Sequence, residues 1–501
     1  MLPRRRLLVV LGVGLVLLAG AGIAAYAVLL KPAGDVSNPD VAFEDPTPTP
    51  APKPAKKVRK DDFRWPMYGY TKDHNRVFQP PKPLRGPWRM IWRHRAPALL
   101  EFPPVIAGRT LFQLADNGRL AALAKGTGKI RWKRKLGYLA ASSPAVVGGT
   151  VYATVLETRK DSGQGRIVAV RARDGKMLWT RRLPSRTESS PLVDGGRVYF
   201  GSEDGRVYAL RAANGRPVWT YRAGGAVKAS PTLANGALYF GDYGGYVQAV
   251  RASTGRRLWR ADDARALLRG GEFYATSAVA FGRVYVGSTD GRMYSFSARD
   301  GDLAWAHQTG GFVYSSAAVD NVDGAGPRIY FGSYDGTFYA LDARSGKVRW
   351  KHRSGGKISG SPTIVGDVVY FADLGKSRTF GLGVRTGRKV FETDFGGYDP
   401  VTSDGTYLFV NGRRALTAYV PQRLARKQGI ESRLKGAGKR RKAAKHRKAA
   451  KHRKAERRKR AAKKHRAERR HKAAKHRRAE RRKRAAKKHR AARKKRRSHR
   501  R

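Results

Sequence analysis

The sequence predicts an all-β protein, an eight-bladed β-propeller of four-stranded antiparallel blades, and three observations carry this prediction. Tryptophans recur at intervals of 40 to 47 residues through the middle of the chain. Asp-Gly and Asn-Gly dipeptides, which suit tight hairpin turns, recur with them. The chain also contains 22 Tyr, nine Trp and 57 Gly, a composition that favours strands and turns. A repeat of about 40 residues has room for the four short strands of one propeller blade.

The charge and the composition of the chain exclude several classes of protein. Its 501 residues hold 105 Lys and Arg against 37 Asp and Glu, a net charge of +68. An ordinary cytosolic enzyme lies much closer to neutrality. There is no cysteine, which excludes disulfides, a cysteine-based zinc site, a thiolate nucleophile and a lipidated N-terminal cysteine. The hydrophobic fraction of 41% still permits a large core.

An uncharged segment near the N-terminus predicts a membrane-spanning helix. Residues 7–30 carry no charge, and as a helix they extend about 36 Å, enough to cross a bilayer core. Residues 1–6 include three consecutive arginines, so this flank is expected to stay in the cytoplasm while the rest of the chain lies outside. The alternative is a cleaved signal peptide with the Ala-Tyr-Ala of residues 25–27 as its cleavage site, which also exports the chain.

Residues 31–64 are predicted to form a stalk. They include Pro-Thr-Pro-Thr-Pro-Ala-Pro-Lys-Pro at 46–54, a density of proline that favours extended polyproline II and cannot pack a core. The stalk is expected to hold the folded domain away from the membrane surface.

An eleven-residue motif, Ala-x5-Gly-x3-Trp, defines the repeats of the predicted propeller at residues 65–421. It ends at successive tryptophans, while Ser295 replaces the alanine once and Gly381 and Phe391 replace both ends in the seventh copy. A bulky ring at the end of a blade's fourth strand is expected to pack between neighbouring blades, a structural role. The residues predicted to dock the blades are Trp92, Trp132, Trp179, Trp219, Trp259, Trp305, Trp350 and Phe391.

The eighth blade is predicted to combine the two ends of the propeller. The last unit, residues 400–420, supplies three strands but lacks a terminal tryptophan. Trp92 lies twelve residues before Pro104, the same offset that separates Trp132 from Pro144. Residues 88–93 are therefore expected to be the fourth strand of the last blade, which closes the ring and removes open sheet edges.

This motif resembles the tryptophan-docking repeat of the PQQ-like, or quinoprotein-type, eight-bladed propellers. The leader Trp65-Pro66-Met67-Tyr68-Gly69 is similar to the start of bacterial PQQ-like domains. The family has two branches, and the resemblance implies the function of one of them. One branch consists of dehydrogenases that use pyrroloquinoline quinone. The other is non-enzymatic, is similar to the outer-membrane assembly factor BamB and docks proteins.

The residues favour the non-enzymatic branch. The dehydrogenases of the family use adjacent cysteines above the quinone and a calcium or lanthanide site, and this chain has no cysteine. Asp242, Asp373 and Asp399 are candidate acids, but no cluster of metal ligands surrounds them in the sequence. Phosphate-binding, nucleophile-elbow and zinc motifs are absent too. We therefore expect no catalytic residue, no cofactor and no metal.

The C-terminal segment, residues 422–501, is predicted to be a disordered polycation. From Lys439 it consists almost entirely of Lys, Arg, His and Ala, which cannot bury a core. We expect partial helix when it binds a polyanion, with strong salt dependence. A passive tail is the alternative. The residues predicted to contact the polyanion are Lys445, Arg447, Lys451, Arg457, Arg458, Arg469, Arg470, Arg481, Arg482, Lys487 and Lys488.

Together these features predict a monomeric, single-pass membrane protein with its propeller outside the cytoplasm. Its propeller loops are expected to dock envelope proteins, and its tail to bind an anionic cell-wall polymer, lipid headgroups or nucleic acid. Two alternatives stay open at this point. One is an oxidoreductase that uses pyrroloquinoline quinone, and the other is a membrane-tethered DNA-binding protein that acts through the tail.

Overall fold

The computed structural model describes residues 34–46, 63–261, 271–399, 401–427 and, near the C-terminus, 453, 455, 456, 458–464 and 466–488. The predicted cytoplasmic flank and membrane-spanning helix lie outside these residues. Among the helices that the structure does describe, none is long and apolar enough to cross a membrane.

Short strands make up almost all of the regular structure between residues 34 and 427. The strands are β1 (Val36–Ser37), β2 (Arg64–Trp65), β3 (Val77–Phe78), β4 (Trp88–Arg95), β5 (Val105–Ala107), β6 (Thr110–Ala115), β7 (Arg119–Ala124), β8 (Ile130–Lys135), β9 (Ala145–Val147), β10 (Thr150–Val155), β11 (Arg166–Arg171), β12 (Met177–Arg182), β13 (Leu192–Asp194), β14 (Arg197–Ser202), β15 (Arg206–Arg211), β16 (Pro217–Arg222), β17 (Thr232–Ala234), β18 (Ala237–Gly241), β19 (Val247–Arg251), β20 (Arg257–Ala261), β21 (Ala278–Ala280), β22 (Arg283–Gly287), β23 (Arg292–Ser297), β24 (Leu303–Gln308), β25 (Ala318–Val322), β26 (Gly326–Gly332), β27 (Thr337–Asp342), β28 (Val348–Arg353), β29 (Thr363–Val365), β30 (Val368–Ala372), β31 (Thr379–Gly383), β32 (Lys389–Thr393), β33 (Val401–Ser403), β34 (Leu408–Gly412) and β35 (Ala415–Pro421). A short helix, α1, follows at Gln422–Lys427.

These strands form eight antiparallel sheets, the blades of a propeller, as predicted. Blades 1 to 7 each take four consecutive strands, from β5–β8 through β29–β32. Blade 8 has the order β33-β34-β35-β4, and Ala418 of β35 lies opposite Trp92 of β4. The prediction that the N-terminal strand completes the last blade is therefore confirmed. Closure in this way joins the two ends of the domain through hydrogen bonds.

The motif alanine has a specific place in each blade. In blade 3, Ala209 of β15 lies opposite Trp219 of β16, and the pairing register shifts directly after it. A small side chain is needed at this point because the indole occupies the space across the strand pair. The Asn214-Gly215 turn between these strands places Gly215 at a φ of 70°, which suits glycine. The local sequence therefore fixes both the bulge and the turn.

The leader between residues 63 and 78 lies across the first strands of the blades. Its carbonyls at Pro66, Lys72 and Arg76 accept hydrogen bonds from Val146, Leu233 and Ile364, with N–O distances of 2.7 to 2.9 Å. It also adds β2 to blade 1 and β3 to blade 7. Because the first strands line the propeller axis, the leader closes one end of the axial channel.

Part of the segment predicted to be a stalk packs on the propeller. β1 pairs antiparallel with β24, the fourth strand of blade 5, so that Val36 lies opposite Ala306. Asp35 accepts a hydrogen bond from the backbone of Gln308 at 2.8 Å. Phe43 stacks on Phe281 with ring centroids 5.4 Å apart. Residues 34–46 therefore lie along the edge of blade 5, and residues 47–62 of the predicted stalk lie outside the described residues.

The described part of the C-terminal segment is helical, whereas composition predicted disorder. Residues 466–488 form a continuous helix with every side chain exposed. Alanine, lysine and arginine favour helix intrinsically. Glu468 and Glu480 each precede a cation by four residues, Lys472 and Arg484, a spacing that stabilises a helix further. These local preferences favour the helix, whereas mutual repulsion of the cations, on which the prediction of disorder rests, opposes it.

Candidate functional site

The predicted docking tryptophans each contact the next blade. Each indole Nε1 donates a hydrogen bond to a backbone carbonyl of the neighbouring blade, at 2.9 to 3.1 Å. In each case a glycine of the turn between the third and fourth strands lies under the ring, as Gly346 does for Trp305. Trp92 makes the same contact with Lys125 and Gly128 of blade 1. Phe391 packs against Tyr370 and Tyr419 instead, since it has no donor.

Sequence reasoning missed a set of tyrosines that share these contacts. Tyr199 packs on Trp219 with ring centroids 5.9 Å apart. Its hydroxyl donates to the carbonyl of Ala252, which also accepts the Trp219 hydrogen bond. The sequence contains a pattern that could have revealed this set. In blades 3 to 6 a tyrosine lies twenty residues before the docking tryptophan. The set is Tyr152, Tyr199, Tyr239, Tyr285 and Tyr330.

A ring of hydroxyl groups surrounds the propeller axis. The backbone N–H of each member donates to the side chain of the next, at 2.9 to 3.1 Å, and the last acceptor is the Asp399 carboxylate. The sequence signal was the Ser-Pro that opens several units. Nothing local to one repeat shows that these positions meet at the axis. The ring contains Ser143, Ser190, Ser230, Thr276, Ser316, Ser361 and Asp399.

The channel inside this ring is narrow and closed at one end. Tyr68 of the leader lies at its floor, where its hydroxyl is 3.0 Å from Ser361 Oγ. The Arg76 guanidinium stacks 4.1 Å from the centre of the Tyr68 ring. The remaining cavity has a volume of about 30 Å³, room for little more than a water molecule.

This cavity is smaller than the sites that hold ligands of the size of the quinone implied by the family resemblance. Sites for such ligands have volumes of about 300 Å³ or more. Of the candidate acids, Asp242 accepts backbone N–H groups from Gly224 and Gly244 and caps a turn of blade 4. Asp373 forms an ion pair with Arg378 in blade 7. They do not converge with Asp399, and the described residues contain no group of three metal-binding side chains.

Carboxylates collect at the open end of the channel. Burial, together with the neighbouring carboxylates of Asp116, Glu188 and Asp399, raises the pKa of Glu101 to about 8. Burial also raises the pKa of Asp116 and that of Asp399, each to about 6. At neutral pH Glu101 is therefore protonated, while Asp116 and Asp399 are ionised.

We expect Glu101→Gln to stabilise the protein at alkaline pH. An unfolded chain loses the Glu101 proton near pH 4.5, whereas the folded protein keeps it until about pH 8. The wild type therefore loses stability as the pH rises through this range. The variant does not lose this stability, so it is expected to be more stable than the wild type by about 4 to 5 kcal/mol at pH 9, yet equal to it at pH 4.

Thermal unfolding at pH 4, 7 and 9 measures this difference. The control is Glu392→Gln, at an exposed carboxylate whose pKa is lowered by its hydrogen bond to Lys389. The control is expected to gain nothing at pH 9. Parallel pH profiles for wild type and Glu101→Gln would contradict the assignment.

Aromatic side chains border the same opening. Tyr274 and Tyr314 lie 5.5 Å apart between ring centroids, and Tyr314 and Tyr334 lie 4.9 Å apart. Phe312 contacts both Tyr314 and Tyr334 and is 48% exposed. Lys228 and Lys357 lie over the rings at the two ends of this arc, Tyr243 and Tyr334. We call Tyr243, Tyr274, Phe312, Tyr314 and Tyr334 the aromatic arc.

The structure describes seven of the residues predicted to contact a polyanion. They lie in exposed helical segments of the C-terminal region, where residues of the AERR repeat recur every twelve positions. The seven are Arg458, Arg469, Arg470, Arg481, Arg482, Lys487 and Lys488. The other four, Lys445, Arg447, Lys451 and Arg457, lie outside the described residues.

Solved structures share this fold at low identity. BamB from Moraxella catarrhalis is 17% identical, with a TM-score of 0.53 over 66% of this chain and 97% of that one. A europium-containing methanol dehydrogenase is 14% identical, with a TM-score of 0.59 over 71% of this chain and 98% of its own. Quinohemoprotein alcohol dehydrogenase from Comamonas testosteroni is 13% identical, with a TM-score of 0.59 over 73% and 81% of the two chains. Likeness at this level establishes the fold alone.

Comparison of the sequence with protein families identifies the family as well as the fold. No curated protein sequence matches the chain significantly. The family model described as outer membrane protein assembly factor BamB, however, matches residues 87–164, 163–325 and 314–430, which together span the whole propeller from β4 onward. The chain therefore belongs to the BamB family of PQQ-like β-propellers.

Proposed function

We propose that this protein is a non-catalytic docking scaffold of the cell envelope. The observation that carries the proposal is the aromatic arc at the open end of an axial channel too small for the family's cofactor. Phe312, 48% exposed, is the apolar side chain that the arc presents to solvent. Aromatic residues dominate the binding energy of protein interfaces, because they bury a large area at a small cost in conformational entropy.

The position of the arc favours one face of the propeller for docking. Phe312 and Tyr314 belong to the loop between β24 and β25, which leads into a first strand. The leader contacts the opposite ends of the first strands, at Gly108 and Gly366. The face with the arc is therefore free of the leader, and a partner that docks there meets aromatic rings surrounded by carboxylates.

Two further parts of the proposal concern attachment. Residues 7–30 anchor the chain as a single membrane-spanning helix with the propeller outside the cytoplasm, and the protein acts as a monomer. The C-terminal polycation binds an anionic polymer or lipid headgroups outside the membrane. A second attachment of this kind raises the local concentration of the scaffold without any new contact at the docking face.

A photo-crosslinking amino acid at position 312 tests the docking face in intact cells. We expect a discrete adduct with an envelope protein at 312. Position 367 provides the matched control, because Asp367 is exposed in a turn on the leader face. No adduct at 312, or equal adducts at both positions, would contradict the proposal. Quinone-dependent dye reduction by the purified protein would contradict its non-catalytic part.

Protease accessibility of a C-terminal epitope tests the topology. We expect the epitope to be digested in intact cells, since both the propeller and the tail are proposed to lie outside. If the epitope is protected until the cells are lysed, the topology is the reverse of the one proposed. In that case the tail would face the cytoplasm, and membrane tethering of DNA would replace envelope docking as the function.

A further inference from the structure

The fourth strands of the blades form a basic outer rim on the propeller. The eight fourth strands, from β4 and β8 to β32, contain sixteen Lys and Arg and a single acid, Glu392. β8 alone carries Arg131, Lys133, Arg134 and Lys135, all exposed. We call the fourth strands of all blades except blade 5 the basic rim.

Blade 5 lacks these cations, and the N-terminal segment of the chain covers its fourth strand. Its fourth strand, β24, has no Lys or Arg, and all of its residues but the last are buried. The segment at residues 34–46 pairs with this strand, and Asp35 accepts a hydrogen bond there. Among the described strands, cations are therefore present on the seven fourth strands that pair with no further strand and absent from the one that does.

Protection of open sheet edges explains only part of this pattern. Charged residues on an edge strand discourage pairing with other chains, but either sign of charge serves that purpose. The ratio of sixteen cations to one acid is therefore not explained by edge protection. Twelve of the sixteen are arginine, a proportion close to that of the propeller as a whole, and the planar fork of arginine matches phosphate oxygens. The excess of cations over acids favours a polyanionic partner, and the arginines suit phosphate groups.

The distribution of the cations favours a flexible partner. They occur on seven of the eight blades, and the blades succeed one another around a closed ring. A flat membrane touches the edge of only a few adjacent blades at a time. A flexible polymer can follow the ring from blade to blade and neutralise cations on each.

We propose that the basic rim binds a flexible anionic polymer of phosphodiester-linked units, a cell-wall type of polymer, as a second polyanion site on the propeller itself. Its extracytoplasmic setting rests on the proposed function, but the rim is independent of the C-terminal polycation. Binding releases the counterions of each contacted phosphate, so affinity falls steeply with salt.

Binding of full-length protein to fluorescent poly(glycerol phosphate), measured from 50 to 300 mM salt, tests the rim. The rim variant carries glutamine at Arg131, Lys133, Arg181, Arg182, Lys351 and Arg353, which are exposed on blades 1, 2 and 6. We expect it to bind at least tenfold more weakly at 150 mM salt, with a salt slope smaller by about 4. Unchanged affinity and slope would overturn the proposal. Unchanged thermal midpoints check that the variant is folded.

A matched variant separates the rim from the tail. It carries six glutamines in the C-terminal helix, at Arg469, Arg470, Arg481, Arg482, Lys487 and Lys488. If only this variant loses affinity, the rim proposal fails while the proposed function of the tail stands. If only the rim variant loses affinity, the rim proposal stands and the proposed function of the tail fails.

Two other polyanions test the choice of partner. Duplex DNA with the same number of phosphates, and vesicles containing 30% anionic lipid, are compared with poly(glycerol phosphate) at 150 mM salt. We expect rim-dependent binding to be strongest for poly(glycerol phosphate). Rim-dependent binding that is tenfold tighter for DNA, or confined to vesicles, would overturn the assignment of the rim to a wall polymer.

Discussion

Replacing Trp305 by alanine is expected to lower the free energy of unfolding by about 4 kcal/mol. Trp305 is 1% exposed, because residues 34–46 cover its blade. The substitution removes a large buried ring, its hydrogen bond of 3.0 Å to the Ala343 carbonyl and its packing against Tyr285. The loss falls on a contact between blades 5 and 6, so it weakens the ring as a whole.

The same substitution at Trp132 provides the comparison. Trp132 makes the equivalent hydrogen bond, at 2.9 Å, but it lies only partly buried on an open blade. We expect Trp132→Ala to cost about 2 kcal/mol, since less surface returns to water. Urea unfolding of the full-length variants measures both values. Equal losses at the two positions would show that the N-terminal segment adds nothing to the docking of Trp305.

A conservative replacement separates packing from hydrogen bonding. Trp305→Phe keeps most of the apolar contact but removes the donor, and we expect a loss of about 1 to 2 kcal/mol. Blade 7 shows that the fold accepts this arrangement, because Phe391 occupies the docking position there and packs only through its ring. A loss at Trp305→Phe as large as that at Trp305→Ala would assign most of the stabilisation to the hydrogen bond.

The sequence predicted best those contacts that form between residues close together in the chain and that recur from blade to blade. The alanine, glycine and tryptophan of the motif meet across a bulge and a turn that recur in each blade, so a regular spacing revealed them. Ring closure by the strand predicted at residues 88–93 followed from one offset, because Trp92 lies as far before the next unit as Trp132 does. These inferences needed no knowledge of long-range contacts.

Features that depend on distant parts of the chain were not predictable in this way. The proline-rich composition around residues 46–54 suggested a stalk, yet residues 34–46 pair with a strand more than 260 positions away. The hydroxyl ring joins one residue from each of several blades, and no single repeat shows that these positions face an axis. Glu101 belongs to no motif, and its pKa depends first on its burial and then on carboxylates from three other positions.

A glycine of the next blade lies under each docking tryptophan. Gly346 has a φ of 71°, and a Cβ built there lies 2.8 Å from Trp305 Cδ2, closer than atoms approach without displacement. Gly346→Ala therefore combines backbone strain with a collision, and we expect a loss of about 3 kcal/mol. Gly355 provides the matched control, because its φ is 85° and a Cβ there meets no atom within 4 Å. Gly355→Ala is expected to cost about 1 kcal/mol through strain alone.

A double-mutant cycle then isolates the collision. In a Trp305→Ala background the ring that obstructs the new methyl group is absent, so Gly346→Ala should cost only the strain, about 1 kcal/mol. The coupling between the two substitutions is therefore expected to be about 2 kcal/mol in urea unfolding, with none between Gly355→Ala and Trp305→Ala. If the losses of stability for Gly346→Ala and Trp305→Ala add up in the double variant, glycine is needed only for the backbone conformation of the turn. A measured coupling would instead establish that the tryptophan of blade 5 requires glycine at this position of blade 6.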